Sequence, residues 1–263
     1  MYTTKITKGD IKMSDYTIAH EFTLPSEGKV YSNEIKSQFK LRSMTTAEEM
    51  KRLNHSDKPY QAMAEIMDDC LVDELGISAY DLCLADYQYM LHKLRIVTYG
   101  PNYKVSSTCP YCGTVNNNTI NLDELTIRPF DKDAFDKYSE FELPVSKKRI
   151  KLRMQTPRIL DGITFRTREE RRKNPKVVGD PAFLFTLESL IDTIDGSKPE
   201  QFRLAPFIQK LPMADTNYIL KAAQKLNNSC GIDTSLVHVC NVCGLDYTSN
   251  FRTTAEFFGP SID

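Results

Sequence analysis

Cys109-Pro110-Tyr111-Cys112-Gly113 and Cys240-Asn241-Val242-Cys243-Gly244 are the two stretches on which the reading of this chain turns. In a C-x-x-C-G turn both sulfurs point to one side, and the glycine takes the positive φ that the turn needs. Two such hooks supply four thiolates, the number a tetrahedral zinc ion takes. A closed four-sulfur shell leaves no position for water, so the site is expected to be structural. Residues 113–239, 127 positions, separate the hooks. With Cys109, Cys112, Cys240 and Cys243 gripping one structural Zn2+ per chain, the metal becomes a clasp for the whole architecture. Residues 98–107 and 114–122 around the first hook have strand character, as do 235–239 and 246–251 around the second. The expectation is a split zinc ribbon. A rubredoxin-like iron site uses the same ligand pattern, whereas a redox-active C-x-x-C wants a thioredoxin-like helix that neither hook has. His238 stands two residues before Cys240 and is read as a strand residue facing solvent, because four thiolates already saturate the ion.

Working outward from the hooks, the chain repeats itself. Glu21-Phe22-Thr23-Leu24-Pro25 returns as Glu140-Phe141-Glu142-Leu143-Pro144, and Lys40-Leu41-Arg42-Ser43-Met44-Thr45 as Lys151-Leu152-Arg153-Met154-Gln155-Thr156. Ala85-Asp86-Tyr87-Gln88-Tyr89-Met90-Leu91 returns as Ala214-Asp215-Thr216-Asn217-Tyr218-Ile219-Leu220, and each half closes on its hook. Four matches in one order argue for duplication of a unit of roughly 120 residues, longer than solenoid periods. Each copy opens with alternating apolar and polar residues around a turn, at 25–28 and 144–147, which reads as a β-hairpin. Each then changes to helical spacing at a threonine N-cap. Thr45 has Glu48 three residues on, a capping box, and Thr156 has Pro157 at the first helical position. A helix opened by Asp180-Pro181 and closed by Gly196 carries Phe183, Leu184, Leu187, Leu190, Ile191 and Ile194 on one face. Its counterpart carries Met63, Ile66, Met67, Cys70 and Leu71 and is closed by Gly76. The last helix of the first copy shows Leu84, Tyr87, Leu91 and Leu94, and that of the second shows Ile219, Ala223 and Leu226 and stops at Gly231. The fold class is therefore α+β with an internally duplicated unit of hairpin, helices and zinc-ribbon half. Residues 1–18 are read as a flexible extension, 19–125 as the first repeat and 126–263 as the second.

Composition removes several function classes. The net charge is −1 and 41% of residues are hydrophobic, as in a globular protein without a global field for nucleic acid or anionic membranes. No apolar run approaches the ~18 residues of a membrane helix. Residues 1–15 are polar and lack an export signal, with Met13 an alternative start, so the seven cysteines are expected to be reduced. Cys70, Cys83 and Cys230 then read as small buried residues. The four histidines, at 20, 55, 92 and 238, show no ligand or catalytic spacing. Glu48-Glu49 and Asp68-Asp69 are adjacent on helices, do not face each other, and are read as solvated surface. No phosphate-binding glycine loop and no G-x-S-x-G elbow is present. The reading is of a non-enzyme without catalytic residues. The basic run at 166–176 is read as a solvated helix end, with Glu169 and Glu170 pairing against Arg172 and Lys173, because no aromatic residues interleave as a stacking platform requires. Phe257-Phe258 either packs back on the domain or enters a partner.

Three segments, Glu21-Phe22-Thr23-Leu24-Pro25-Ser26-Glu27-Gly28-Lys29-Val30-Tyr31, Leu41-Arg42-Ser43-Met44-Thr45-Thr46-Ala47-Glu48-Glu49 and Leu94-Arg95-Ile96-Val97-Thr98-Tyr99-Gly100, followed by the first hook, carry a resemblance. Over about residues 20–125 the chain resembles the T4-type bacteriophage baseplate hub proteins. The resemblance implies a tail protein, either a subunit of the central hub or an assembly chaperone for it. It would act in the cytoplasm of an infected bacterium or in the finished virion baseplate, with other tail and hub proteins as partners. Neither a small-molecule substrate nor a membrane is implied. The competing readings are a zinc-ribbon nucleic-acid-binding regulatory protein and an unrecognised enzyme.

Overall fold

The computed structural model describes residues 19–176, 178–251 and 255–258. The extension expected at 1–18 lies outside them. The architecture is α+β, with helices packed among small antiparallel sheets.

The first half begins with strand β1 (Ala19–Thr23), paired with β2 (Gln38–Arg42) so that Phe22 faces Phe39. In β2 the alternation buries Phe39 and Leu41 and exposes Gln38 and Lys40, as a half-buried strand requires. The turn at 25–28 does not return directly into the partner strand: residues 24–37 form the connection, longer than a tight hairpin. Helix α1 (Thr46–Leu53) starts at the capping box read from the sequence, with Thr45 accepting from Ala47 N–H and Glu48 reaching back to Thr45 N–H. Helices α2 (Pro59–Cys70) and α3 (Leu84–Tyr99) follow, then strands β3 (Asn102–Thr108) and β4 (Val115–Asn121) around the first hook. Residues 98–99 belong to α3, not to the strand: the helix runs to its cap at Gly100.

The second half, from 126 on, opens with β5 (Ile127–Arg128) and α4 (Lys132–Ser139). It has the hairpin β6 (Glu140–Glu142) and β7 (Arg149–Leu152), helices α5 (Pro157–Lys173) and α6 (Pro181–Leu190), and strand β8 (Ile191–Ile194) on the edge of β7. The helix expected to run to Gly196 therefore ends at Leu190. Ile191, Thr193 and Ile194 are β-branched and take extended backbone beside β7, where pairing outweighs helical register. A similar device is seen earlier, where Leu71, just past α2, bridges to Leu41 of β2. Helices α7 (Gln201–Gln209) and α8 (Met213–Asn227) lead to β9 (Gly231–Ile232), which pairs with β5, and to β10 (Ser235–Val239) and β11 (Asp246–Asn250) around the second hook. α8 stops at Asn227 rather than at Gly231.

Both last helices hold a hairpin turn by a buried aspartate. Asp86 of α3 accepts from Ser26 N–H at 3.0 Å, Ser26 Oγ at 2.5 Å and Tyr31 OH at 2.7 Å. Asp215 of α8 accepts from Val145 N–H at 2.8 Å and Ser146 N–H at 2.9 Å. Each carboxylate sits in the first turn of its helix, where the helix dipole favours negative charge. Two hydrophobic clusters result. One joins Leu24, Phe39, Leu41, Met67, Met90 and Leu94 with Phe251, Phe257 and Phe258. The other joins Leu143, Ile150, Leu187, Ile191, Ile219 and Leu226. Each fully buried side chain of this kind contributes about 1.5–3 kcal/mol. The halves also touch directly: Asp161 of α5 accepts from Gln61 N–H of α2 at 2.9 Å.

Candidate metal centre

The two hook hairpins are built alike. In each, the first cysteine N–H donates across the turn, Cys109 to Thr114 O at 2.9 Å and Cys240 to Leu245 O at 3.0 Å. The glycine N–H then donates back, Gly113 to Cys109 O and Gly244 to Cys240 O. Gly113 and Gly244 sit at φ 73° and 71°, left-handed values at which a side chain is strained. Strands β3/β4 and β10/β11 close these turns in full antiparallel register, from Thr108↔Val115 and Val239↔Asp246 outward.

Folding brings the hooks face to face. The four sulfurs of Cys109, Cys112, Cys240 and Cys243 all lie within 4.8 Å of one another, and the group can hold a metal ion. Cys109 Sγ is 3.7 Å from Cys243 Sγ, and Cys112 Sγ is 3.5 Å from Cys240 Sγ. The first cysteine of each hook thus meets the second of the other. A tetrahedron of sulfurs at about 2.3 Å from a central zinc has edges of about 3.8 Å, close to both separations. In each hook the first cysteine is buried and the second exposed, so the cluster lies at the surface with two walls of protein.

Around the sulfurs is a polar shell that sequence reading did not pick out. Asn116 Nδ2 lies 3.7 Å from Cys240 Sγ and also donates to Tyr247 OH at 3.1 Å, while its Oδ1 accepts from Asn241 N–H at 3.0 Å. One side chain of the first hairpin therefore grips the backbone of the second hook. The signal was present: Asn116-Asn117-Asn118 is a run of poor strand formers in a strand position. His238 does not face solvent as expected. It is buried between the hairpins, its Nδ1 3.1 Å from Asn118 Nδ2 and its Nε2 2.9 Å from Ser249 Oγ. Both ring nitrogens are taken by these partners, and the residue belongs to the packing between hairpins.

The electrostatics suit a cation. Backbone N–H groups of Cys243 and Val242 hold the Cys240 thiol down at about 6, and the Thr114 hydroxyl and N–H lower that of Cys112. The Leu245 N–H also favours the Cys243 thiolate, but partial desolvation beside the other hook and the three neighbouring sulfurs push its pKa up to about 12. Several thiolates this close repel unless a cation sits among them.

Other singled-out residues have structural partners. Glu48 is buried rather than solvated, paired with Arg42 at 2.9 Å as well as capping α1. Glu49 takes Arg52 and Tyr99, and Asp68 takes Ser78 Oγ and Ala79 N–H, so these carboxylates are committed to the fold. The four arginines of the basic run are charge-matched: Arg166 pairs with Glu188, Arg168 with Asp57, Arg171 with Asp180 and Arg172 with Glu169, while Glu170 accepts from Asn174 Nδ2 and not from Lys173. Phe257 and Phe258 pack back on the first core, and Arg95 Nε donates to Phe257 O at 2.7 Å. Among the described residues no helix is long and apolar enough to cross a membrane.

No curated protein and no solved structure matches the chain significantly. The family described as T4 bacteriophage base plate protein does match, over residues 16–259. This span holds both hooks, both aspartate-held hairpins and every described element. The chain belongs to the T4 bacteriophage base plate protein family.

Proposed function

We propose that this chain is a structural or assembly protein of the baseplate's central hub, a hub component or hub assembly chaperone, held in shape by one structural zinc in a split ribbon. The observation that carries the zinc is the reciprocal approach of the two hooks to within the edge lengths of a sulfur tetrahedron. Cys109, Cys112, Cys240 and Cys243 are its ligands, with Asn116 orienting the second hook. The equal order of hairpin, helices and hook in residues 19–125 and 126–263 supports descent from a duplicated unit. Two related surfaces suit a protein that bridges neighbours in a symmetric assembly. Apolar side chains on the second hook hairpin, Val237, Val239, Val242 and Leu245, are exposed and offer contact area to other tail proteins. The committed carboxylates and matched arginines speak for a scaffold rather than an enzyme or a nucleic-acid binder.

Affinity capture of the tagged chain from phage-infected cells tests the role, with tail hub proteins expected to co-purify. Recovery without any tail protein, together with DNA or RNA binding that falls steeply with salt, would favour the regulatory reading instead.

A further inference from the structure

Away from the hooks, a second pair of thiols meets in the interior. Cys83 is the N-cap of α3, and Cys230 immediately precedes β9. Both are buried, 2% and 1% exposed, in a small cluster with Ala85, walled by Val30, Tyr31, Phe130 and Met154. Their sulfurs and a carboxylate oxygen of Asp86 lie within 4.8 Å of one another. The approach is enforced by backbone packing: a Cβ on Gly231 would stand 3.1 Å from Ala85 Cβ, so the chain at 230–231 is pressed onto the start of α3.

Two chemistries suit such a group, a metal or a disulfide. Asp86 separates them. Its oxygens already accept three hydrogen bonds, from Ser26 N–H, Ser26 Oγ and Tyr31 OH. Tyr31 OH in turn accepts from Cys83 N–H at 3.0 Å. Tyr31 OH also lies 3.5 Å from Cys83 Sγ, a longer contact than its 2.7 Å bond to Asp86. Both sulfurs are free thiols beside one another, and two soft donors in an apolar cage fall short of the four that zinc takes.

We propose that Cys83 and Cys230 form an oxidisable pair that closes to a disulfide linking the two halves of the chain, with hydrogen peroxide, or a hydroperoxide of similar size, as the oxidant. In the first step one thiolate attacks a peroxide oxygen. The O–O bond breaks, a sulfenic acid forms on that cysteine and hydroxide leaves. In the second step the other sulfur attacks the sulfenic sulfur, the S–S bond forms, and the hydroxyl departs with the second thiol's proton as water. Two electrons leave the sulfurs, and one peroxide ends as two waters. A hydrogen bond with Cys230, and then burial, raise the Cys83 pKa well above its ordinary value. The thiol form therefore dominates at neutral pH, and the reaction quickens as pH rises. The disulfide joins α3 to the segment after α8, a second tie between halves independent of the metal.

Peroxide treatment of the full-length, metal-loaded protein tests this. The chain is then unfolded in guanidinium with chelator, alkylated, and cut with chymotrypsin, which separates Cys230 from Cys240. The expected result is two fewer alkylatable thiols than the seven of the reduced chain. A linked peptide pair containing Cys83 and Cys230 should appear, migration on a non-reducing gel should be faster, and dithiothreitol should reverse all three. Cys230→Ala should abolish the linked pair, and if that variant does not fold, the wild-type peptide map decides alone. Full alkylation of both cysteines after peroxide overturns the proposal. So does a second metal ion per chain that is lost in Cys83→Ala, because it would assign the pair to a metal.

Discussion

The sulfurs of Cys112 and Cys240 stand 3.5 Å apart although 127 residues lie between them in the chain, and the Cys109–Cys243 approach at 3.7 Å mirrors them. A metal held there closes a loop nearly half the length of the protein. Its binding free energy is then folding free energy for both halves together.

Purified protein is accordingly expected to contain one zinc per chain. Cys109→Ser and Cys243→Ser, one in each hook, should lower stability alike and abolish stoichiometric zinc. Structural zinc contributes on the order of 10 kcal/mol, comparable with a whole domain's ~5–15 kcal/mol, so a chelator should unfold the protein or leave it partly folded. Metal analysis with circular dichroism checks this; a wild-type-like stability for either variant would remove the shared site.

The paired aspartates make a second test. Asp215→Ala leaves the Val145 and Ser146 N–H groups without an acceptor, and Asp86→Ala does the same to Ser26 and Tyr31. A buried donor left unmade costs about 1–3 kcal/mol, so a loss of about 2–4 kcal/mol is expected for Asp86→Ala, whose Ser26 partner is buried. A smaller loss of about 1–2 kcal/mol is expected for Asp215→Ala, because Val145 is exposed and water can reach its N–H. Urea unfolding midpoints measure it. Changes below about 0.5 kcal/mol, the range of ordinary surface substitutions, would show that the turns do not depend on these carboxylates.

Acid should weaken the fold in two stages. Burial lowers the His92 pKa from 6.5 to about 4, so the unfolded chain takes up this proton first. The stability held by neutral His92 is complete above 6.5 and drains as pH falls towards 4. Below that, the hydrogen bond from Arg42 holds Glu48 at about 2 against 4.5, and its contribution drains between those values. Unfolding midpoints measured across pH are expected to fall over both windows. Glu48→Gln should flatten the lower one and leave the upper unchanged; an unaltered lower window would refute the assignment.

The residues near the C-terminus form part of the first core. Phe257 is 1% exposed, against His92, Tyr103 and Phe251. Phe257→Ala is expected to cost about 3–5 kcal/mol, as buried aromatic truncations do. Phe202→Ala, at a site 71% exposed, should stay within about 0.5 kcal/mol. Equal effects in thermal denaturation would mean that Phe257 packs less tightly than its burial implies.

Much of the site was readable before folding, because its chemistry is local. A C-x-x-C-G turn places two sulfurs on one side through backbone geometry within five residues. Thr45 with Glu48 specifies a helix start through atoms three residues apart. The charge-matching of the run at 166–176 was legible in the same way for Glu169 and Arg172. What failed was reading burial and register from spacing alone. Helical periodicity carried α6 through to Ile194, yet β8 peels away because the edge of β7 lies beside it. Spacing could not show that His238 is enclosed, since the wall that encloses it comes from the other hairpin, 120 residues away.

From its amino acids alone, then, this protein declared two C-x-x-C-G hooks with the donor set of a metal site, capped helices and a recurring order of elements, since each depends on neighbours along the chain. Tertiary structure alone decided that the hooks meet, that Asn116 braces the opposite hook, and that Cys83 finds Cys230. Those relationships depend on distances between segments more than a hundred residues apart, which arise only when packing of the two cores fixes where the segments lie.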